Sequence, residues 1–406
     1  MKANSLTCID LFAGCGGLGL GLQLSGFIPL LFSELNETAA KTYLANHPSV
    51  PWESDIYQLT DEKLDAYMSE WGRQVDLVCG GPPCQGFSSI GHRRSFSVTK
   101  EEMPGNHLYL EMGRVISKVR PKAFLFENVR GLLSGKWGPE GEHGEIFRDV
   151  RRYFDSIPGY VVRWELVHAK RYGVPQNRPR LLMVGIQEGL TPVRGPVPDF
   201  PTAISDGFLP APDGAFPPNP EEALSDLVDE PMNLSRPTTS YPLPPNNAFQ
   251  TLMRTRPDGT VAGVGEPITE HEYSVHAKRI VEKYDHMLKN AGEIPEHART
   301  KKFFEKVLPA QWGENGPNIT VACSTNDLIH YCQPRNLTVR EYARLQTFPD
   351  WYCFMGPRMT GGRRRAGDPS KGIWTRDVPK YTQIGNAVPV ELARRVGGHL
   401  AKLLAP

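Results

Sequence analysis

The sequence predicts an α/β protein built on a parallel sheet, with a smaller module inserted into it. Three observations carry this. Up to about residue 190, short apolar runs alternate with stretches of helical patterning, and a glycine-rich turn follows the first run. After about residue 190 the patterning is lost, and it returns near residue 320. Strands alternating with helices are the mark of a parallel sheet covered by helices.

Taken in order, Thr7-Cys8-Ile9-Asp10-Leu11-Phe12 is the first strand, and a helix is expected from Gly19 through Leu24. Ile28 to Phe32, Val75 to Cys79, Ala123 to Phe126 and Arg180 to Ile186 are further short apolar runs bounded by turn residues, as buried strands are. From Thr191 to Pro245 prolines are dense and periodicity disappears, which predicts extended, loop-built structure. A helix is expected at about 275–290, with Ile280, Tyr284 and Met287 on one face and Lys278, Arg279, Lys283 and Lys289 elsewhere. Thr338-Val339-Arg340-Glu341 has capping-box spacing and should open a helix that Pro349 stops. No internal repeat is seen. The simplest organisation is one domain formed by residues 1–190 and 326–406, interrupted by an insert over 191–325.

Composition bounds the function. The chain has 406 residues, with 46 Lys and Arg against 45 Asp and Glu, so any nucleic-acid contact must come from a local patch. No apolar run approaches the roughly 20 residues that span a bilayer. The N-terminus lacks a basic segment followed by a signal-type apolar core, so a cytosolic protein is expected. Seven cysteines, at positions 8, 15, 79, 84, 323, 332 and 353, form an odd set without C-x-x-C. Neither a disulfide framework nor a metal site is expected from them.

Gly14-Cys15-Gly16-Gly17-Leu18-Gly19 fits G-x-G-x-x-G after a strand, and Glu34 follows near the end of the next strand. Such glycines let a ligand approach the backbone, and the carboxylate can accept hydrogen bonds from ribose hydroxyls. NAD, FAD and S-adenosylmethionine are all compatible with this turn, as is a purely structural role. In Gly80-Gly81-Pro82-Pro83-Cys84-Gln85-Gly86-Phe87-Ser88 two prolines stiffen the chain before Cys84, after a strand. This puts the thiol at the carboxyl edge of the sheet, where open α/β folds bind ligands and a thiol of depressed pKa is a nucleophile. A buried apolar cysteine is the plainer reading of the residue alone. Glu127 follows the strand ending at Phe126 and would project toward the same edge. Arg178 and Arg180, in Gln176-Asn177-Arg178-Pro179-Arg180, offer guanidinium groups for a phosphate or a base carbonyl. Read singly, Glu127 is an ordinary solvated carboxylate and the arginines a surface pair.

In order, these segments resemble the DNA cytosine-5 methyltransferase family, as found in bacterial restriction-modification systems. Asp10 to Gly17 is similar to its cofactor loop, Pro83-Cys84-Gln85 to its nucleophile motif and Glu127-Asn128-Val129 to its acidic motif. Gln176, Arg178 and Arg180 match its Q-x-R-x-R motif, Arg335 to Pro349 its late helix, and Gln383 to Pro389 its last motif. The likeness covers about residues 5–190 and 320–400.

The resemblance implies a Rossmann-like S-adenosylmethionine-dependent methyltransferase fold with an inserted target-recognition domain. It implies S-adenosylmethionine as cofactor, met by Phe12, Gly14, Gly16, Gly17, Glu34, Asp55, Ile56, Pro83, Leu108, Asn386 and Val388. Its chemistry would make Cys84 the nucleophile on C6 of a flipped cytosine, with Glu127 at N3 and Arg178 and Arg180 holding the base. Double-stranded DNA would be the partner of a monomer that needs no cognate restriction endonuclease for its activity.

DNA contacts are expected from Ser88, Arg93 and Arg94 in the loop after the nucleophile, and from Arg254, Arg256, Lys301 and Lys302 in the insert. Two departures stand out. Met103-Pro104-Gly105 occupies the place of an Asp-x-Arg common in the family, and Gly361-Gly362-Arg363-Arg364-Arg365 fills a stretch before the last motif. The arginine run reads equally as a solvated loop or as a backbone contact. A tRNA methyltransferase of the same fold is the nearest rival, with a compact recognition region unlike this long insert. A non-catalytic relative would lack Cys84 or Glu127, and a nicotinamide or flavin oxidoreductase leaves Pro83-Cys84-Gln85 unexplained.

Overall fold

The computed structural model describes residues 5–83, 107–138, 140–195, 202–212, 214, 216–232, 239–299, 305–321, 327–359 and 378–405. Cys84, Ser88, Arg93, Arg94, Met103 to Gly105, Lys301, Lys302 and Arg363 to Arg365 lie outside them.

Strands β1 (Thr7–Leu11), β2 (Ile28–Ser33), β3 (Trp52–Glu53), β4 (Leu77–Gly80), β5 (Ala123–Val129), β6 (Tyr160–His168) and β7 (Pro179–Gln187) form one sheet in the order β3-β2-β1-β4-β5-β7-β6. Between them run helices α1 (Gly17–Leu24), α2 (Glu37–Asn46), α3 (Asp61–Trp71), α4 (Leu108–Val119) and α5 (Glu145–Asp155). Beyond β7 come α6 (Pro220–Leu224), α7 (Ala248–Arg254), α8 (Lys278–Lys289), and a two-stranded parallel pair, β8 (Lys306–Val307) and β9 (Leu328–Ile329). Then follow α9 (Val339–Leu345), α10 (Lys380–Asn386) and α11 (Val390–Leu404).

Successive strand residues face opposite sides of the sheet, and the sequence uses both. Ile9, Val78, Phe124 and Phe126 pack toward α3, α4 and α5, whereas Cys8, Cys79 and Leu125 pack toward α1 and α11. Both faces are therefore apolar, which is why the strands read as continuous rather than alternating runs.

The expected parallel sheet needs correction. β1 to β5 pair in parallel, but β7 runs antiparallel to both β5 and β6. An apolar run carries no signal of its direction. β6 and β7 face each other across a connection of ten residues, 169–178, too short to cross the sheet, so they pair antiparallel. β6 was itself not foreseen.

The first helix starts at Gly17, two residues before the expected Gly19. The capping box forms as expected: the Thr338 hydroxyl accepts from the Glu341 N–H and the Glu341 carboxylate accepts from the Thr338 N–H. That helix ends at Leu345, ahead of Pro349, because Thr347 takes a left-handed φ of 61°. In α8, Tyr284 and Met287 are buried as expected, but so is Lys283, whose ammonium pairs with Glu305 at 2.7 Å.

Much of the inserted stretch is welded to the rest. Phe208 and Leu209 share a core with β4, β5, β7 and α11. Ala223, Leu224, Leu308, Trp312, Ile319 and Val321 share another with α9 and α10.

Candidate active site

The strand order reverses between β1 and β4, and ligands of open α/β sheets bind at the carboxyl ends of strands there. A cavity of about 410 Å³ opens at this point. Its walls come from the segments that follow β1, β2 and β4, from the end of β5, and from the chain around α10.

β1 ends in a turn that only glycine makes easily. Gly14 has φ of 58°, and nothing stands within 4 Å of where a Cβ would be, so the backbone lies open to a ligand. Phe12 takes φ of 55°, an uncommon conformation for an aromatic residue, and lines the cavity. At the end of β2, Glu34 accepts the Gly14 N–H at 2.8 Å and the Asn36 N–H at 2.7 Å. Burial raises its pKa, and the two N–H groups hold it back.

Asp10 was read only as part of the cofactor loop, yet the residue borders the cavity and its side chain is fully buried. Its Oδ1 accepts from the Cys79 thiol at 3.7 Å, and its Oδ2 lies against the Gly19 backbone at the start of α1. Burial, reinforced by the nearby Glu34 charge, pushes the carboxyl up to about 7 against the Cys79 hydrogen bond. A polar residue inside an apolar strand was the available signal.

The opposite wall carries a carboxyl and a guanidinium. The Asn128 amide donates to the Pro82 carbonyl at 3.0 Å, which ties the diproline to the end of β5. Val129 faces Arg180 across the β5–β7 register, so Glu127, two residues back on the same face, is the diagonal neighbour of Arg180. Their Nε and Oε1 atoms are 2.7 Å apart. Burial raises the Glu127 pKa, opposed first by Arg180 and then by Arg178. A Cβ on Gly81 would stand 2.6 Å from Glu127 Oε2, so the residue before the diproline must be small.

The third wall is brought from far along the chain. Asn386, Ala387 and Val388 line the cavity, and a Cβ on Gly17 would collide with the Val388 carbonyl. The Tyr352 hydroxyl donates to the Cys15 carbonyl at 2.6 Å, and the Thr42 hydroxyl donates to Gln383 Oε1 at 2.6 Å. Gln383, Asn36 and Asn128 line the cavity without having been singled out as site residues.

Of the expected residues, Phe12, Gly14, Gly17, Glu34, Pro83, Asn386, Val388, Glu127 and Arg180 meet here. Four others do not reach the cavity wall. Gly16 packs instead under Tyr352 and Tyr43, where a Cβ would stand 2.5 Å from the Tyr352 hydroxyl. Asp55 caps a short 3-10 turn, Ile56 is buried in the core, and Leu108 opens α4 against that core.

Arg178 is also corrected. It is buried away from the cavity wall, and its guanidinium donates to the Val321 carbonyl at 3.0 Å and to the Gly385 carbonyl. Arg254 is no groove contact, because it is fully buried against Asp226 at 2.6 Å with its guanidinium over the Tyr241 ring. Arg256 remains partly exposed and pairs with Glu266. Among the described residues, no group of three or more His, Cys, Asp and Glu side chains could hold a metal ion.

The sheet order, the open glycine turn and Glu34 beside it form a concave site next to a buried acid, placed where open α/β folds take their ligands. A C-5 cytosine-specific DNA methylase family model matches residues 6–402. The Type II methyltransferase M.DdeI of Desulfomicrobium norvegicum is 31% identical over 98% of this chain and 88% of that protein. M1.HphI of Haemophilus parahaemolyticus, also a Type II methyltransferase, is 29% identical over 98% of this chain and 87% of its own length. A prophage-encoded E. coli protein solved as a DNA modification methyltransferase superposes with a TM-score of 0.70 at 24% identity, covering 99% of this chain and all of that one. This last likeness speaks for the fold. The chain belongs to the C-5 cytosine-specific DNA methylase family, and it has the Rossmann-like fold of a methyltransferase.

Proposed function

We propose that this chain methylates C5 of a cytosine flipped from duplex DNA, through a covalent adduct of Cys84 with C6 and with S-adenosylmethionine as donor. The observation that carries the reading is the buried Glu127–Arg180 pair facing Pro83 across one cavity, with Cys84 next in the chain.

The residues present fit the cofactor. Gly14 leaves open space over the backbone, and Glu34 keeps free lone pairs for ribose hydroxyls. Phe12 and Val388 supply apolar contacts. The volume lies within the range of roughly 300–1,000 Å³ typical of small-molecule sites. Bound there, S-adenosylmethionine supplies an electrophilic methyl group to an activated carbon.

The chain's own residues do the activating. The Cys84 thiolate adds to C6, which makes C5 nucleophilic and places negative charge on the ring. Glu127, whose burial favours its protonated form, donates to N3 and relieves that charge. Arg180 holds Glu127 in place and presents a cation toward the base. Loss of the C5 proton to solvent after transfer re-forms the double bond, returns the N3 proton to Glu127 and expels Cys84 as the thiolate.

On this reading the protein works as a monomer on DNA in a prokaryotic cytosol or nucleoid and needs no endonuclease for the reaction. Among the described residues, no helix is long and apolar enough to cross a membrane. Part of the inserted stretch 191–325 reads the target, with Arg256 its remaining described candidate contact.

Bisulfite sequencing of DNA from cells expressing the protein tests the chemistry and maps the methylated sequence. Cys84→Ala should abolish the signal while S-adenosylhomocysteine still binds. Wild-type turnover by Cys84→Ala, or methylation of tRNA in place of DNA, would overturn the proposal.

A further inference from the structure

The turn after β1 holds an uncommon backbone. Phe12, Gly14 and Gly16 take φ of 55°, 58° and 88°. An aromatic residue in that region is strained, so the turn keeps its shape only where its surroundings over-determine it. Three of its N–H groups are fixed nearby. Ala13 donates to the Ser33 carbonyl at 2.9 Å, Gly14 to the Glu34 carboxylate, and Gly16 back to the Ala13 carbonyl at 2.9 Å.

A further bond arrives from 337 residues along the chain, where the Tyr352 hydroxyl donates to the Cys15 carbonyl at 2.6 Å. The front of the turn, with Phe12, Gly14 and Gly17, lines the cavity. The back meets Tyr352, whose hydroxyl would stand 2.5 Å from a Cβ on Gly16. Tyr352 is itself held firmly. Its fully buried ring packs on Phe348 and Phe354, with centroids 5.0 and 5.5 Å away. Its chain segment is laced to α2. Asn46 accepts the Cys353 N–H at 2.9 Å and donates to the Cys353 carbonyl at 2.8 Å, and the Thr42 hydroxyl accepts the Met355 N–H at 2.8 Å. Residues 352–355 thus form a strap, fastened to α2, across the back of the turn.

We propose that Tyr352 is a positioning residue for the cofactor, its hydroxyl presetting the turn in the shape that receives S-adenosylmethionine. This rests on the S-adenosylmethionine reading above. Tyr352 acts through the Cys15 backbone and stands behind the turn. A turn already in its binding shape loses no affinity to ordering. Without the hydroxyl the buried Cys15 carbonyl lacks that donor, the turn relaxes, and binding must reverse the relaxation. Pro83, Glu127 and Arg180 stand on another wall, so the chemical step after binding is left as it was.

The test combines calorimetric binding of S-adenosylhomocysteine to the full chain with methyl-transfer kinetics on duplex DNA bearing the mapped sequence. Tyr352→Phe keeps the ring and removes only the hydroxyl. It should weaken S-adenosylhomocysteine binding and raise the KM for S-adenosylmethionine about fivefold or more, with kcat at saturation unchanged. Tyr160→Phe is the control. It also loses a buried hydroxyl-to-carbonyl bond, to Pro121, but at the amino edge of the sheet, away from the cavity. It should lower the melting temperature and keep the wild-type KM. Asn46→Ala unlaces the strap at its exposed fastening and should raise KM in the same direction, so the proposal is tested even where Tyr352→Phe does not fold. Unchanged cofactor affinity in folded Tyr352→Phe, or in Asn46→Ala where Tyr352→Phe does not fold, overturns the proposal. An equal rise of KM in Tyr160→Phe, or a loss confined to kcat in Tyr352→Phe, overturns it as well. A wild-type chain that binds no S-adenosylhomocysteine would instead overturn the cofactor reading beneath it.

Discussion

Replacing Asp10 with asparagine removes a carboxylate that the fold buries completely at the cavity end of β1 while keeping its shape. In the folded chain Asp10 holds its proton until about pH 7, against an ordinary value of 3.8. The stability this contributes is complete below the unfolded value, falls as pH rises between the two, and is gone above the folded one. About three units of difference at ~1.36 kcal/mol each amounts to on the order of 4 kcal/mol across the window. Between pH 5 and pH 8 the wild-type chain should therefore lose about 3 kcal/mol more than Asp10→Asn. Urea unfolding of both proteins across this range measures it, and taking the difference cancels every other titrating group. Parallel pH profiles for the two proteins would refute the reasoning, because Asp10 would then titrate alike in the folded and unfolded chains.

Further outcomes follow from the same coordinates. Removing Arg180 takes away the first of the charges that hold Glu127 down, so Arg180→Gln should shift the alkaline limb of the methyl-transfer pH profile upward and lower kcat by about 10²–10⁴; an unmoved limb would separate the two residues functionally. Gly17→Ala drives a Cβ into the Val388 carbonyl and should cost about 1–3 kcal/mol and weaken cofactor binding. Gly398→Ala, in α11 with open space beside it, should be neutral or stabilise by up to ~1 kcal/mol in the same thermal melts. Arg254→Ala leaves the buried Asp226 with Arg344 alone, which Asp350 also shares, and should destabilise by about 3–5 kcal/mol. Arg256→Ala, at the surface, should stay within about 0.5 kcal/mol by urea titration.

Local signals were legible wherever the physics is local. The turn after β1 demanded glycine, the capping box of α9 needed only residues three apart, and the apolar runs located most strands because burial on both faces leaves little else. Glu34 could be singled out as a candidate because a strand end follows a glycine turn at a stereotyped spacing, and it lines the cavity, where it accepts the Gly14 N–H. Arg254 was misread for a physical reason, and the partners of Arg178 were hidden by the same one. In sequence, an arginine that will meet solvent or DNA looks the same as one that will be buried against carbonyls or an aspartate.

By itself, then, the sequence determined the chemistry available: a candidate nucleophile at Cys84, a candidate acid at Glu127, a candidate ribose carboxylate at Glu34 and most strands of the sheet whose edge carries the last two. Only the tertiary structure decided which of the paired arginines meets the acid, because antiparallel β7 sets Arg180 diagonally opposite Glu127 and turns Arg178 to partners 143 and 207 residues away. It also raised Asp10 to a site residue, since the burial that makes its oxygen costly to ionise exists only once α1, α2 and the sheet have closed around it. Residue type and spacing encode reactivity, whereas partners and burial depend on chain segments whose approach no local pattern records.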